Sequence, residues 1–446
     1  MIDFLLKDRF DKLDLVYFIF TILFSIIGIT FYLFNVFSVL VVCLILVNIL
    51  FVIKFYNKIP LFILFVYIFL HSKVFAQFFI WKLSISFWQD FQTNSALGTV
   101  LISHLLFILT LGNSVSCKKT INEFNFLTFV KPNSKIFTIL FFASIFILVF
   151  GIQGDNVFQR GSYADFDLVE KSTLHEYFIL IFLFLILYSP PGIVYKTIIH
   201  CFLAFYVLKT LIYGGRIEVV QVCLLFFYLY YVLNGKVKSS LIVFLLIFGV
   251  YFNGLVSNIR SNPQIILTEN YFDLINPINV FDLDSENENL SSMEGDVVQS
   301  SARVVGLIDG GQISLTQRIL SLFSFLASPI VPQSLLPDYT NLAVYKQDIY
   351  KSGGGGLIST FFFTWLGYLG PIIAGSLIGL SIRKFYEFTS ASFFIYGLCV
   401  LTMFPRWFSY NPIFLIKFSL YAVLLLYILK LISPFFEKSK KNEPAK

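Results

Sequence analysis

Eight arginines occur among the 446 residues, and six of them (Arg160, Arg216, Arg260, Arg303, Arg318 and Arg406) fall in connections on one side of a series of apolar runs. A guanidinium is planar, always charged, and forks onto paired oxygens, so such a set suits a phosphate or pyrophosphate. Six cations held close together repel one another unless a polyanion or acidic partners neutralise them. Two further groups could move a proton: Glu218, two residues beyond Arg216, and His175, at the edge of an apolar run. A carboxylate or an imidazole can take the proton of an attacking hydroxyl.

The local settings of these residues differ. Gly214-Gly215-Arg216 is a tight turn opening a helix, whose N-terminal N–H groups and dipole favour an anion. Glu218 and Gln221 follow where apolar residues cost less. The competing reading is that Arg216 snorkels to headgroups with Glu218 as its partner. Arg260, Arg303 and Arg318 belong to the longest connection, residues 257–356. Its acidic Asn/Ser-rich middle, 269–296, reads as a solvated excursion. Helical periodicity resumes over 297–330, which predicts one or two amphipathic helices on the membrane with Arg303 and Arg318 on the polar side. Ser352–Gly356 is either a phosphate cradle or a re-entry hinge. Arg406 sits in Pro405–Asn411, a stiff turn whose Trp407 and Tyr410 are equally suited to interfacial anchoring. Asp165-Phe-Asp167 and Asp282-Leu-Asp284 are too short to signify metal binding, and no metal or cofactor is expected. His71, His104 and His200 fall inside apolar runs and read as packing residues.

These residues are positioned by a membrane scaffold. The chain is 57% apolar and 13% charged, with a mean hydropathy of +0.82. Twelve windows reach the roughly 20-residue scale of a spanning helix: 15–34, 36–53, 59–80, 95–111, 135–152, 174–189, 193–213, 217–233, 239–256, 357–381, 392–404 and 412–431. Lysine-rich ends and every second loop orient the stack, from Lys54 and Lys58 through Lys118, Lys119, Lys236 and Lys238 to Lys440 and Lys441. Both termini are therefore expected in the cytoplasm. The expected class is an all-α integral membrane protein with about twelve transmembrane helices and one large periplasmic loop carrying amphipathic helices. Its parts are helices over 1–256, the loop over 257–356, helices over 357–431 and a cytoplasmic tail over 432–446. No cleavable leader is evident. The 56 phenylalanines read as lipid-facing filler, and none of the five cysteines falls in the long loop, so no disulfide framework is expected. The net charge of +6 suits an anionic leaflet and does not point to nucleic acid.

Gly214-Gly215-Arg216, the run Ser352–Gly356 leading to Trp365-Leu-Gly-Tyr-Leu-Gly370, and Pro405-Arg406-Trp407 before the last helix together resemble the bacterial O-antigen (oligosaccharide repeat unit) polymerases. The resemblance implies undecaprenyl-diphosphate-linked glycans as donor and acceptor at the periplasmic face of the inner membrane, and a GT-C-like architecture is compatible with it. An acceptor hydroxyl would attack the donor's anomeric carbon, and undecaprenyl diphosphate would leave. Arg216, Arg260 and Arg406, with Arg303 and Arg318, would hold the diphosphate without metal, and Glu218 or His175 would act as base. A chain-length regulator is a further partner to expect. Two other activities fit parts of the pattern: an O-antigen ligase or other lipid-linked glycosyltransferase, and a flippase. A flippase would place cations mid-span, where Lys209 and Lys417 are the main examples.

Overall fold

The computed structural model describes residues 12–34, 36–55, 94–115, 130–151, 173–212, 216–229, 251, 293–332, 335–350, 355–387 and 390–437. Among them there are helices and turns and no strand. Five helices are long and apolar enough to cross a membrane: Asp14–Leu33, Ser38–Phe55, Ser95–Ser114, Ile193–Thr210 and Ile413–Phe435. The windows expected at 59–80 and 239–256 lie outside the described residues. The chain divides into two compact units, Met1–Glu123 with Asn289–Tyr421, and Phe124–Glu288 with Ala422–Lys446.

The first unit begins with α1 (Lys12–Leu33), α2 (Phe37–Phe55) and α3 (Asn94–Ser114). One end of this trio is fixed by charge. Lys54, near the end of α2, lies 3.1 Å from the Asp14 carboxylate in α1. It also donates to the Gly112 carbonyl of α3 at 2.6 Å and stands 4.6 Å over the Tyr17 ring. At the other end the Tyr32 hydroxyl of α1 donates to the Ser95 carbonyl at 3.3 Å. Thus α1 and α3 run antiparallel.

α3 is the hub on which the later helices pack: α8 (Met293–Asp309), α11 (Ile358–Leu366) and α12 (Leu369–Glu387). α12 approaches most closely, through Gly375 and Gly379. A Cβ at Gly375 would overlap Thr110 and the Phe107 carbonyl, and one at Gly379 would crowd Ser114 and the Leu111 carbonyl. Small residues one turn apart let two backbones meet in this way. The expected single helix over 357–381 is in fact two. Gly367 takes φ +62°, a conformation that breaks the run, and α11 folds back on α12 as a hairpin. With nine residues, α11 is about 13 Å long and too short to cross a bilayer.

Around them lie α9 (Leu315–Ala327), a 3₁₀ turn at Asp338–Thr340, α10 (Leu342–Tyr350), α13 (Ala391–Thr402), the short α14 (Phe404–Ser409) and the start of α15 (Ile413–Glu437), which from Ala422 on belongs to the second unit. Ser314 caps α9 by accepting from Gln317 N, and Ser390 caps α13 by accepting from Phe393 N. At the foot of α12, Glu387 accepts from Lys384 at 2.6 Å and Arg383 at 2.8 Å. The Lys384 hydrogen bond, with the Arg383 charge beside it, holds this carboxyl below its usual range.

The second unit contains α4 (Ser134–Phe150), a 3₁₀ turn at Thr173–Tyr177, α5 (Phe178–Leu187), α6 (Ile193–Ile212) and α7 (Arg216–Phe227). α5 packs on α4 and α7, and α7 on α6. Phe178 stacks on Tyr206 at 4.3 Å, and buried Lys209 donates to the Leu148 carbonyl at 2.7 Å. Lys209 is therefore spent on a helix carbonyl.

Candidate functional site

Three of the predicted arginines lie in the first unit on three separate helices, Arg303 on α8, Arg318 on α9 and Arg406 on α14, and all three helices pack against α11. Arg318 Nε donates to the Thr364 carbonyl in the last turn of α11. A cation there complements the partial negative charge of a helix C-terminus. The Arg406 guanidinium lies 4.5 Å over the Phe414 ring, and its own carbonyl accepts from Tyr410 N and Asn411 N. Arg303 is half-buried, with its Nε enclosed. Arg318 and Arg406 are half-buried, as Arg303 is.

α8 is not the surface-lying amphipathic helix expected from periodicity. Val297, Val298, Ser301, Ala302, Val304, Val305 and Leu307 are buried, so it is enclosed nearly all round. The reason is visible in its serines, which bond to the start of α11. Ser300 donates to the Gly355 carbonyl, and Ser301 Oγ accepts from Leu357 N at 2.8 Å. Lys346, fully buried on α10, also donates to the Gly355 carbonyl at 2.7 Å. Gly356 N donates to the Ser409 carbonyl at 3.1 Å. Gly355 itself has φ +133°, and a Cβ there would press on the Ser409 carbonyl.

These bonds concern only the end of the glycine run, since residues 352–354 lie outside the described residues. The N–H groups of Gly356 and Leu357 are already committed to protein acceptors, so this end of the run is a packing junction and not a phosphate cradle. Likewise Trp407 and Phe408 are buried rather than interfacial. The Trp407 indole donates to the Val400 carbonyl at 2.8 Å. His104 is a hydrogen-bonded packing residue as expected, with Nδ1 3.4 Å from Ser359 Oγ and its ring edge-on to Phe408 at 5.6 Å.

A small cavity lies between α9, α11 and the start of α15, lined by Ser321, Thr340, Asn341, Trp365 and Asn411 among others, with about 20 Å³ open to a water-sized sphere. That is room for about one water.

The remaining predicted residues belong to the second unit. Arg216 is the first described residue of α7, with Gly214 and Gly215 outside the described residues, and Glu218 is half-buried in its first turn with Gln221 buried one turn on. His175 lies in the 3₁₀ turn before α5. Arg160 and Arg260 lie outside the described residues. Sequence reasoning missed Lys346, Ser300 and Ser301. The available signal was slight: a Ser-Ser pair between Val-rich turns of a mixed helix, and a lysine beside Gln347 and Asp348. Among the described residues no cluster of His, Cys, Asp or Glu has the arrangement of a metal site.

Fold and composition together define an all-helical protein with several helices of membrane-spanning length. No protein-family model, curated protein or solved structure matches the chain.

Proposed function

We propose that the protein is a multi-pass protein of the bacterial inner membrane that polymerises undecaprenyl-diphosphate-linked oligosaccharide repeat units at the periplasmic face. The observation that carries the reading is the gathering of three arginine-bearing helices on α11, from segments far apart in the chain. Cations borne on helices that pack against one short helix of an apolar bundle suit a lipid-borne diphosphate. The leaving group's growing charge would be met by guanidiniums already in place. Within the first unit, Arg303, Arg318 and Arg406 would bind it. A general base would accept the proton of the attacking hydroxyl, the role for which the sequence offers Glu218 or His175. An O-antigen ligase would use the same donor and leaving group, with a different acceptor.

One observation favours a second reading, transport of the same lipid. Lys346 is fully buried and Arg303 half-buried among the helices, where a flippase would carry charge. One experiment separates these activities. Cells lacking the gene are complemented with the wild type or with Arg406→Ala, and their glycan is resolved by length. For a polymerase, the null strain shows single repeat units, the wild type restores a ladder, and the variant at normal protein level does not. Long polymer left on the undecaprenyl carrier indicates a ligase. Failure of repeat units to reach the outer leaflet indicates a transporter.

A further inference from the structure

We propose that α9 and the turn that follows it, residues 315–332, form a re-entrant segment whose exposed apolar face lies among the acyl chains of the bilayer. It does not stand in water above them. The inference rests on α15 being a membrane span, and not on glycosyl transfer.

Depth can be read off α3 and α15. His104 lies midway along the apolar stretch Ser95–Ser114, and it meets Ser359, the second residue of α11. α12, which follows α11, meets Phe107 and Thr110 at Gly375 and Leu111 and Ser114 at Gly379, so the turn between α11 and α12 lies toward the Ser95 end of α3. α11 therefore climbs from the middle of α3 toward its Ser95 end. α9 runs the opposite way down α11. Arg318 bonds to Thr364, Ser321 accepts from the Trp365 indole at 3.0 Å, and Phe325 packs on Trp365 at 4.6 Å and Phe362 at 5.7 Å. Beyond its end, the Pro329 carbonyl accepts from the Tyr421 hydroxyl at 2.9 Å. Tyr421 is eight residues into the apolar stretch Ile413–Phe435, or about 12 Å along the helix. The chain then returns, and Gln317 at the start of α9 donates to the Tyr339 carbonyl at 2.9 Å.

The chemistry of the segment suits hydrocarbon. Phe323 is 63% exposed, Leu326 54% and Ile330 88%, with Ile319 also outward. Leu420, on α15 beside Tyr421, is exposed too, so the apolar face continues onto the span. Arg318 is the sole charged residue from 315 to 332, and it lies in the first turn of α9. The N–H groups of the described tip, 328–332, are paired or absent. Ile330 N and Val331 N both donate to the Ala327 carbonyl at 2.9 Å, Ser328 Oγ donates to the Phe325 carbonyl, and Pro329 and Pro332 have no N–H to leave unpaired. Hydrocarbon demands this of any backbone placed in it. The occupant of the exposed face is thus lipid chain.

The test places nitroxide labels, one at a time, at Phe323→Cys, Ile330→Cys and, as control, Gln312→Cys, in a variant lacking the native cysteines and reconstituted in phospholipid nanodiscs. The inference expects labels at 323 and 330 to collide several-fold more with oxygen and several-fold less with a water-soluble nickel chelate than the label at 312. Equal nickel collision at all three sites overturns it. The unmodified chain gives a second measurement, in vesicles of phosphatidylcholine carrying a diazirine on the acyl chain. Photo-adducts on the peptide containing 319–330 are expected. Their absence, with adducts present on α15, overturns the inference.

Discussion

The Nζ of Lys54 stands 3.1 Å from the Asp14 carboxylate, and the two side chains are 2% and 5% exposed. Removing one member strands a buried charge, which costs about 3–5 kcal/mol, whereas replacing both by apolar groups of similar volume is often neutral. Lys54→Met and Asp14→Leu are each expected to lower the unfolding midpoint sharply, and the double variant to lie closer to wild type than either. Thermal unfolding of the four proteins in one detergent tests this. Additive losses in the double variant would show that the pair is not coupled.

Glycine substitutions should separate packing from propensity. At Gly375 a methyl has no space against Thr110 and the Phe107 carbonyl, while Gly306 in α8 has nothing within 4 Å. Gly375→Ala is expected to destabilise by about 1–3 kcal/mol through overpacking. Gly306→Ala should stabilise by about 0.5–1 kcal/mol, because alanine is the better helix former. Denaturation of both variants beside wild type gives the signs, and a stable Gly375→Ala would mean that α3 and α12 can part.

Helix placement was legible because apolar runs of this length have few other uses; α1, α2, α3, α6 and α15 follow their windows closely. The break at Gly367 was not. Hydropathy averages over Trp365-Leu-Gly-Tyr-Leu-Gly370, and only a positive φ with the α11–α12 packing reveals a reversal. α8 misled for a related reason, since its serines look like a polar face and are hydrogen-bonding to a glycine turn inside the fold. Phenylalanine served both purposes. Phe142 and Phe150 face outward, whereas Phe178 and Phe182 stack at the core of the second unit. Composition has no means of distinguishing them. The convergence of Arg303, Arg318 and Arg406 on α11 depends on contacts between distant segments, which no single-sequence pattern encodes.

Acid should weaken the foot of α12. The Lys384 hydrogen bond and the Arg383 charge lower the Glu387 pKa in the folded state. A depressed carboxyl contributes stability that is present above its unfolded value, about 4.3, and lost as pH falls through the lower folded value. Partly exposed pairs of this kind contribute about 0–1 kcal/mol. Glu387→Gln is therefore expected to lower the midpoint slightly at pH 7 and to converge with wild type at the acid end. A constant difference across the titration would remove the ion pair as its cause.

The arginines can be told apart from their structural neighbours by rate per folded molecule. Loss of a single preorganised donor to a developing oxyanion costs about 10²–10³ in turnover. Arg318→Ala and Arg406→Ala should therefore suppress ladder formation by purified protein in vesicles loaded with lipid-linked repeat units. At Arg318, lysine should rescue poorly, because the Nε that bonds to Thr364 is lost with the fork. Trp407→Phe is the control. It removes the indole bond to Val400 inside the fold, so it should reduce yield or melting temperature while leaving turnover of the surviving protein near wild type. If both arginine variants build ladders at the wild-type rate, the cluster on α11 stabilises the fold and binds no leaving group.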